Sequence, residues 1–337
     1  RSWPRQPTVF AMGRDFSTVF DSHTQTVIVH YPNSRQLTYS NMSSWQIESH
    51  DLGISWGAPR NISDQLGRVH GAFVGPGRGV QLRESGRLLF AGWYFDNPFP
   101  SDPVPYGGAV WWSDDHGKQW TVVHRGIPRL NELQLVELPT ANHLLLSSRN
   151  EGHYKGCRCR LSTLSTDGGL SWSAVRTDPQ LQSDAVQASV VFHPANRHVY
   201  ISYPDAHSGS NRSDMQWKED LGRRNLVLRS LTTAPTASSS GAWGANCTLF
   251  RGCAAYSCLA PLVPPLTNTT ALGVLFESGA AGCVGSACAI RFAAVHAAGI
   301  LQGSCPAPIE LDATRTVCSD ARCADGSAPH WARLKTG

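Results

Sequence analysis

Apolar positions in this chain fall in short runs rather than long periodic stretches. Runs at Val27 to His30, Leu88 to Phe90, Gly108 to Trp112, Leu144 to Leu146, Cys159 to Leu164, Val190 to Phe192 and Val199 to Ser202 are separated by turns rich in Gly, Pro and Asn. None extends into a 3.6-residue amphipathic period, so helices of ordinary length are not expected. Many short strands joined by tight turns predict an all-β fold of the propeller kind.

A repeat sharpens that expectation. The pattern S-x-D-x-G-x-x-W occurs three times, at Ser49, Asp51, Gly53 and Trp56, at Ser113, Asp115, Gly117 and Trp120, and at Ser165, Asp167, Gly169 and Trp172. At average composition a single match in a chain this long has a chance on the order of one in a thousand, so three copies mark a structural repeat. The Asp carboxylate can accept turn amides, Gly admits positive φ, and Trp covers the edge of the hairpin, which gives the motif a structural role. The aspartates are 64 and 52 residues apart, so the repeats carry unequal insertions. A degenerate fourth turn, without the Asp, is expected between Ser230 and Trp243. Repeats of this length place about five blades in residues 8–300.

Composition narrows the compartment and the partners. The 337 residues contain 16% charged residues, a formal charge of +4 and no Lys/Arg runs, which gives no indication of nucleic-acid binding and leaves an anionic small ligand open. All ten cysteines lie from Cys157 onward, and five N-x-S/T sequons occur at Asn41, Asn61, Asn211, Asn246 and Asn268. An even cysteine count beside sequons predicts disulfides, N-glycosylation and the secretory pathway, with an extracellular or lysosome-like destination. Cys157 and Cys159 are too isolated for a zinc site, and the thirteen histidines show no ligand spacing, so neither a metal nor a cofactor is expected. The opening RSWPRQP lacks an apolar signal core, and no segment is long and apolar enough to span a bilayer. Residues 1–301 are expected to form the propeller, and residues 302–337, with three cysteines, a disulfide-tied tail.

Several segments resemble the sialidase family, and the animal lysosomal type in particular. HGAFVGPGRGVQLRESGRLL, starting at His70, is similar to the family's G-P-G-x-G-[IV]-Q segment followed by G-R-L. NELQLVELPTANHLLLSSRNEGHYKGCRCR, starting at Asn131, is similar to the segment that carries a glutamate and an active-site arginine. Tyr256 in GCAAYSCL looks like the Tyr-Ser motif, and Phe276-Glu277 resembles a Tyr-Glu strand. The resemblance covers roughly residues 8–300. It implies a six-bladed propeller of the sialidase type, a terminal sialic acid as ligand, and a retaining mechanism with a tyrosine nucleophile. A phenol suits a substrate whose own carboxylate would repel a carboxylate nucleophile, provided a base activates it. Carried over by motif, Tyr256 is the nucleophile and Glu132 its base. Arg149 and Arg223 hold the substrate carboxylate, with Arg224 the alternative to Arg223, and Glu277 partners an arginine.

The family's first strand, with an F-R-I-P arginine, the acid/base Asp and a first Asp-box, has no match before Asp51. Arg1, Arg5 and Arg14 are poor substitutes, and Asp15 and Asp21 lie in the wrong context. The expectation is a site that needs a first blade from elsewhere, either a second polypeptide or a segment cut away. Two other readings share the fold: a propeller that binds sialic acid or another acidic glycan without cleaving it, and a structural extracellular module.

Overall fold

The computed structural model describes residues 15–33, 42–69, 71–94, 107–151, 154–183, 185–205, 223–236, 239–262, 270–279 and 289–302. Four curled sheets follow one another along the chain. The first contains β1 (Ser17–Asp21), β2 (Thr26–Asn33), β3 (Ser43–Ser49) and β4 (Arg60–Asn61), with the two-residue β6 (Gly77–Arg78) parallel to β1. The second contains β5 (Phe73–Val74), β7 (Val80–Gln81), β8 (Leu88–Tyr94), β9 (Gly107–Ser113) and β10 (Thr121–Pro128). The third is the meander β11 (Asn131–Glu137), β12 (Leu144–Arg149), β13 (Cys159–Ser165) and β14 (Arg176–Gln182).

The last sheet holds β15 (Ser189–His193), β16 (His198–Pro204), β17 (Arg224–Thr233), β18 (Ala242–Trp243), β19 (Cys247–Leu262), β20 (Ala271–Gly279) and β21 (Ala289–His296). Its sixteen-residue strand β19 serves two units. Residues Cys247 to Phe250 pair with β17 and complete the fourth meander, whereas Cys253 to Leu262 pair with β20 and begin the fifth. Among the described residues the α-helices are α1 (Ser63–Leu66) and α2 (Ala297–Leu301), with single 3-10 turns at Gly67–Val69 and Tyr154–Gly156, and no helix there is long and apolar enough to cross a membrane.

The period of two along each strand explains why the sheets stack face to face. On β8, Leu88 and Phe90 face the first sheet and join Val19, Ile28 and Ile62. Leu89, Ala91 and Trp93 face the third and join Leu133, Leu135 and Leu146. On β12 and β16 the same alternation sends Leu144 and Leu145, then Val199 and Tyr200, into successive cores. Strands buried on both faces, such as β8, β11 and β13, are the product. The architecture is a β-propeller, as the repeats predict.

The three repeated turns have one hydrogen-bond pattern. Ser49 Oγ donates to Asp51 at 2.8 Å, and Asp51 accepts the Ser55 N–H at 2.8 Å while Gly53 N–H donates to Ser49 Oγ at 2.7 Å. Asp115 and Asp167 repeat it with the Gln119 and Ser171 N–H groups, each at 2.9 Å. Gly53, Gly117 and Gly169 take φ of 89°, 83° and 89°, which explains the glycine. Trp243 pairs through β18 against Leu231 and is buried, so the expected fourth turn keeps its tryptophan without an Asp.

The described part of the cysteine-rich region contains a Cys157–Cys159 disulfide, while Cys258 on β19 is a free thiol where the even count predicts a pair. Of the sequons, Asn61 and Asn246 lie on exposed positions. Asn41, Asn211, Asn268 and the tail from residue 303 lie outside the described residues.

A buried polar network ties the first two sheets. Trp111 Nε1 donates to His30 Nδ1 at 3.1 Å, and His30 Nε2 meets Gln46 Oε1 at 2.8 Å. Burial holds the His30 pKa down to about 3. An unfolded histidine titrates near ~6.5, so between these values the unfolded chain binds one more proton than the native one, and stability falls as pH falls through this window. Urea unfolding of His30→Gln beside the parent should show a stability slope shallower by about 1.4 kcal/mol per pH unit between roughly pH 6 and pH 4. Coincident slopes would mean that His30 is protonated in the native state.

Candidate active site

Two breaks in strand register aim the central pair. Strand β11 has a register break between Asn131 and Leu133, and Glu132 sits in it at φ 24°, outside ordinary strand geometry. A bulge of this kind turns a side chain away from the face the alternation assigns it, at a cost in backbone strain. Strand β19 has its own break between Ala254 and Ser257, which frees Tyr256 from pairing with β20. The two displaced side chains meet: the Tyr256 hydroxyl donates a short hydrogen bond to Glu132 Oε1. Burial first, then the Glu132 charge and hydrogen bond, push the Tyr256 pKa far above the usual phenol value, so the hydroxyl is protonated at neutral pH.

Arginines surround the pair. Arg149, at the end of β12 and opposite Asn131, places Nη1 2.9 Å from Glu132 Oε2 and also contacts Glu151 through Nε. Burial disfavours its cation, but the charges of Glu132 and Glu151 outweigh burial and raise its pKa. Arg223 lies with its guanidinium carbon 5.6 Å from the Tyr256 ring centre, and its Nε is buried without a partner. Arg224 instead opens β17, with Cys253 as its register partner. Glu277, on β20, accepts the Tyr256 N–H at 3.3 Å, a contact with the tyrosine's backbone where an arginine partner was expected.

Sequence reasoning missed the groups that hold these positions. Arg160 is wholly buried, donates to Ser147 Oγ at 2.8 Å and to the Val186 carbonyl at 2.9 Å, and is close enough to Glu132 to feel its charge. Burial depresses its pKa to about 10, with Glu132 opposing, which leaves it a cation at neutral pH. Gln187 pairs its side-chain amide with both backbone groups of Ser257, each at 3.0 Å, as a strand would. Gln134 donates to the Pro76 carbonyl at 2.8 Å and accepts the Val190 N–H at 3.1 Å, so it ties the third sheet to the fourth and to the connection between β5 and β6. Gly77 makes room for it, because a Cβ there would fall 1.4 Å from Gln134 Nε2. An inward polar residue on an inner strand was the signal available, but its partners lie more than fifty residues away.

A half-buried phenol, a carboxylate and two arginines are thus brought together. A family profile described as BNR repeat-like domain matches residues 16–256. Among curated relatives, a sialidase of Bacteroides fragilis is 25% identical over 243 residues, covering 69% of this chain and 39% of its own. Human Sialidase-4 is 30% identical over 171 residues, covering 44% of this chain and 33% of its own. Among solved structures, the Hadza microbial sialidase has a TM-score of 0.62 at 21% identity, covering 86% of this chain and 53% of its own. The Trypanosoma rangeli sialidase gives 0.55 at 16% identity, covering 86% and 45%.

The chain thus belongs to the BNR-repeat family. Within it, the chain is a member of the sialidase family, whose propeller fold it shares. It spans a third to two fifths of the length of the curated relatives it matches.

The clamp on Ser257 can be tested by itself. Gln187→Ala leaves a buried N–H and carbonyl unpaired beside the tyrosine and should cost about 2–4 kcal/mol in chemical denaturation. A loss below about 0.5 kcal/mol would show that water or a neighbour replaces the amide.

Proposed function

We propose that this chain carries the nucleophile and carboxylate-binding face of an exo-α-sialidase that removes terminal sialic acid from glycoconjugates with retention. The observation that carries the reading is the Tyr256 hydroxyl bonded to Glu132 between two arginines. A phenol whose pKa is raised cannot ionise unaided at neutral pH, so a base in hydrogen-bond contact is required. Glu132 takes the proton as Tyr256 Oη bonds to the anomeric carbon and the glycosidic bond breaks, the leaving oxygen taking a proton from the acid/base Asp. Water then displaces the tyrosine and gives its proton to that Asp, the phenolate recovers its proton from Glu132, and the anomeric configuration is restored. Arg149 hydrogen-bonds Glu132 through Nη1 and lies against Glu151 on its Nε side, which leaves Nη2 for the substrate carboxylate. The unpartnered Nε of Arg223 offers a second donor.

In this reading the acid/base Asp and a first arginine come from a first blade outside these 337 residues, whether a second polypeptide or a continuation of the same one. The exposed sequon residues Asn61 and Asn246 and the Cys157–Cys159 bond support a secretory or lysosome-like route.

With the complete assembly and an aryl α-sialoside, Tyr256→Phe and Glu132→Gln should each lower kcat/KM by at least about 10²-fold while folding is retained. Turnover at parental rates in Tyr256→Phe would remove the nucleophile role. An intact assembly that binds sialosides without cleaving them would move the function to glycan recognition.

A further inference from the structure

The end of the propeller away from Tyr256 holds a cluster that the proposed reaction does not use. Register places the three repeated turns at the opposite sheet ends from Glu132: Ser165 aligns with Leu144, and Leu144 with Glu137. Five residues of strand separate Glu137 from Glu132, about 16 Å. On that far end, Asp21 closes β1, His23 lies in the turn that follows, and the second repeated turn carries His116. One ligand atom from each of the three lies within 4.8 Å of the others. His116 Nδ1 is 2.8 Å from Asp21 Oδ2, although the residues are 95 apart in sequence and on different sheets.

The carboxylate is oriented as a metal ligand would be. Asp21 is fully buried, and its Oδ1 is taken by the Gln81 amide at 2.9 Å and the His23 N–H at 3.0 Å. Oδ2 is thereby turned toward His116. Thr24 also donates to Oδ2, at 2.7 Å, but has Thr26 Oγ1 at 2.9 Å as a second acceptor, so it can release that oxygen without losing a bond.

The backbone supports the same reading. His116 occupies the left-handed position, φ 63°, that Leu52 and Gly168 occupy in the sister turns at 59° and 71°. The conformation is tolerated by histidine better than by most side chains, and it leaves the ring partly exposed and edge-on to His23, with centres 5.8 Å apart.

We propose that Asp21, His23 and His116 form a divalent transition-metal site, suited to Zn2+, that clasps the first sheet to the second. Two imidazoles and a carboxylate are a zinc-type donor set, with water as the fourth ligand. Ligands at about 2.1 Å around a tetrahedral ion stand about 3.4 Å apart, which the 2.8 Å pair reaches by opening slightly and the exposed His23 ring by closing in. No sequence spacing could show this, because the ligands meet only when the two sheets pack.

The test is Zn2+ titration of the chelator-treated full chain by calorimetry, with thermal and denaturant unfolding in parallel. One Zn2+ should bind with micromolar or tighter affinity, and a hundredfold excess over Kd should shift the unfolding constant by about 100-fold. His116→Asn, which keeps a residue tolerant of the left-handed backbone, and His23→Ala should each weaken binding at least tenfold, while Cys258→Ser should not. The proposal is overturned if Zn2+ does not bind at millimolar concentration, if it binds unchanged in both histidine variants, or if binding disappears with the thiol. In the first case the contact is an ion pair only.

Discussion

Face-to-face packing of successive sheets is the constraint on which the rest of this molecule depends. Each inner and middle strand must be apolar on both faces, because one face closes the core toward the preceding sheet and the other the core toward the next. A surface sheet would tolerate polar residues at alternate positions; here alternation sorts residues between two cores rather than between core and water. Polar side chains that remain inside, such as Gln46, Gln134 and Gln187, are accepted only because each binds backbone groups far away in sequence.

Two consequences for the site follow. An inner strand that is fully regular points its residues into the inter-sheet cores, so a side chain aimed elsewhere needs a break in register. Glu132 and Tyr256 both occupy such breaks. Charge is then concentrated where water is scarce. Glu132 is contacted by Arg149 and faces Arg160 behind it, and removing either cation would leave a buried carboxylate poorly compensated.

Much of this was legible in the chain itself, but unevenly. Short apolar runs and the three turns mark the blades because strand period and turn chemistry are local. The Asp, Gly and Ser of each turn interact within five residues. Glu132, Arg149 and Tyr256 were visible only through resemblance, since nothing in spacing links residues 124 apart. Arg223 and Arg224 could not be told apart by spacing; of the two, Arg223 has its guanidinium over the Tyr256 ring. Arg160 and Gln187 gave no signal: each reads as an ordinary polar residue, and burial gives it a role. Glu277 was placed beside the site for a different contact than the one it makes.

Strand β19 carries a last implication. It leaves the fourth unit as its final strand and enters the fifth as its first, and Tyr256 lies just beyond the crossing. Opening of the fifth unit is therefore coupled to the fourth through a shared backbone, and amide exchange around Tyr256 is expected to report the two blades together. Tyr256 thus sits where one backbone is held by two ladders, an anchorage that suits a group that must meet its base at hydrogen-bond distance.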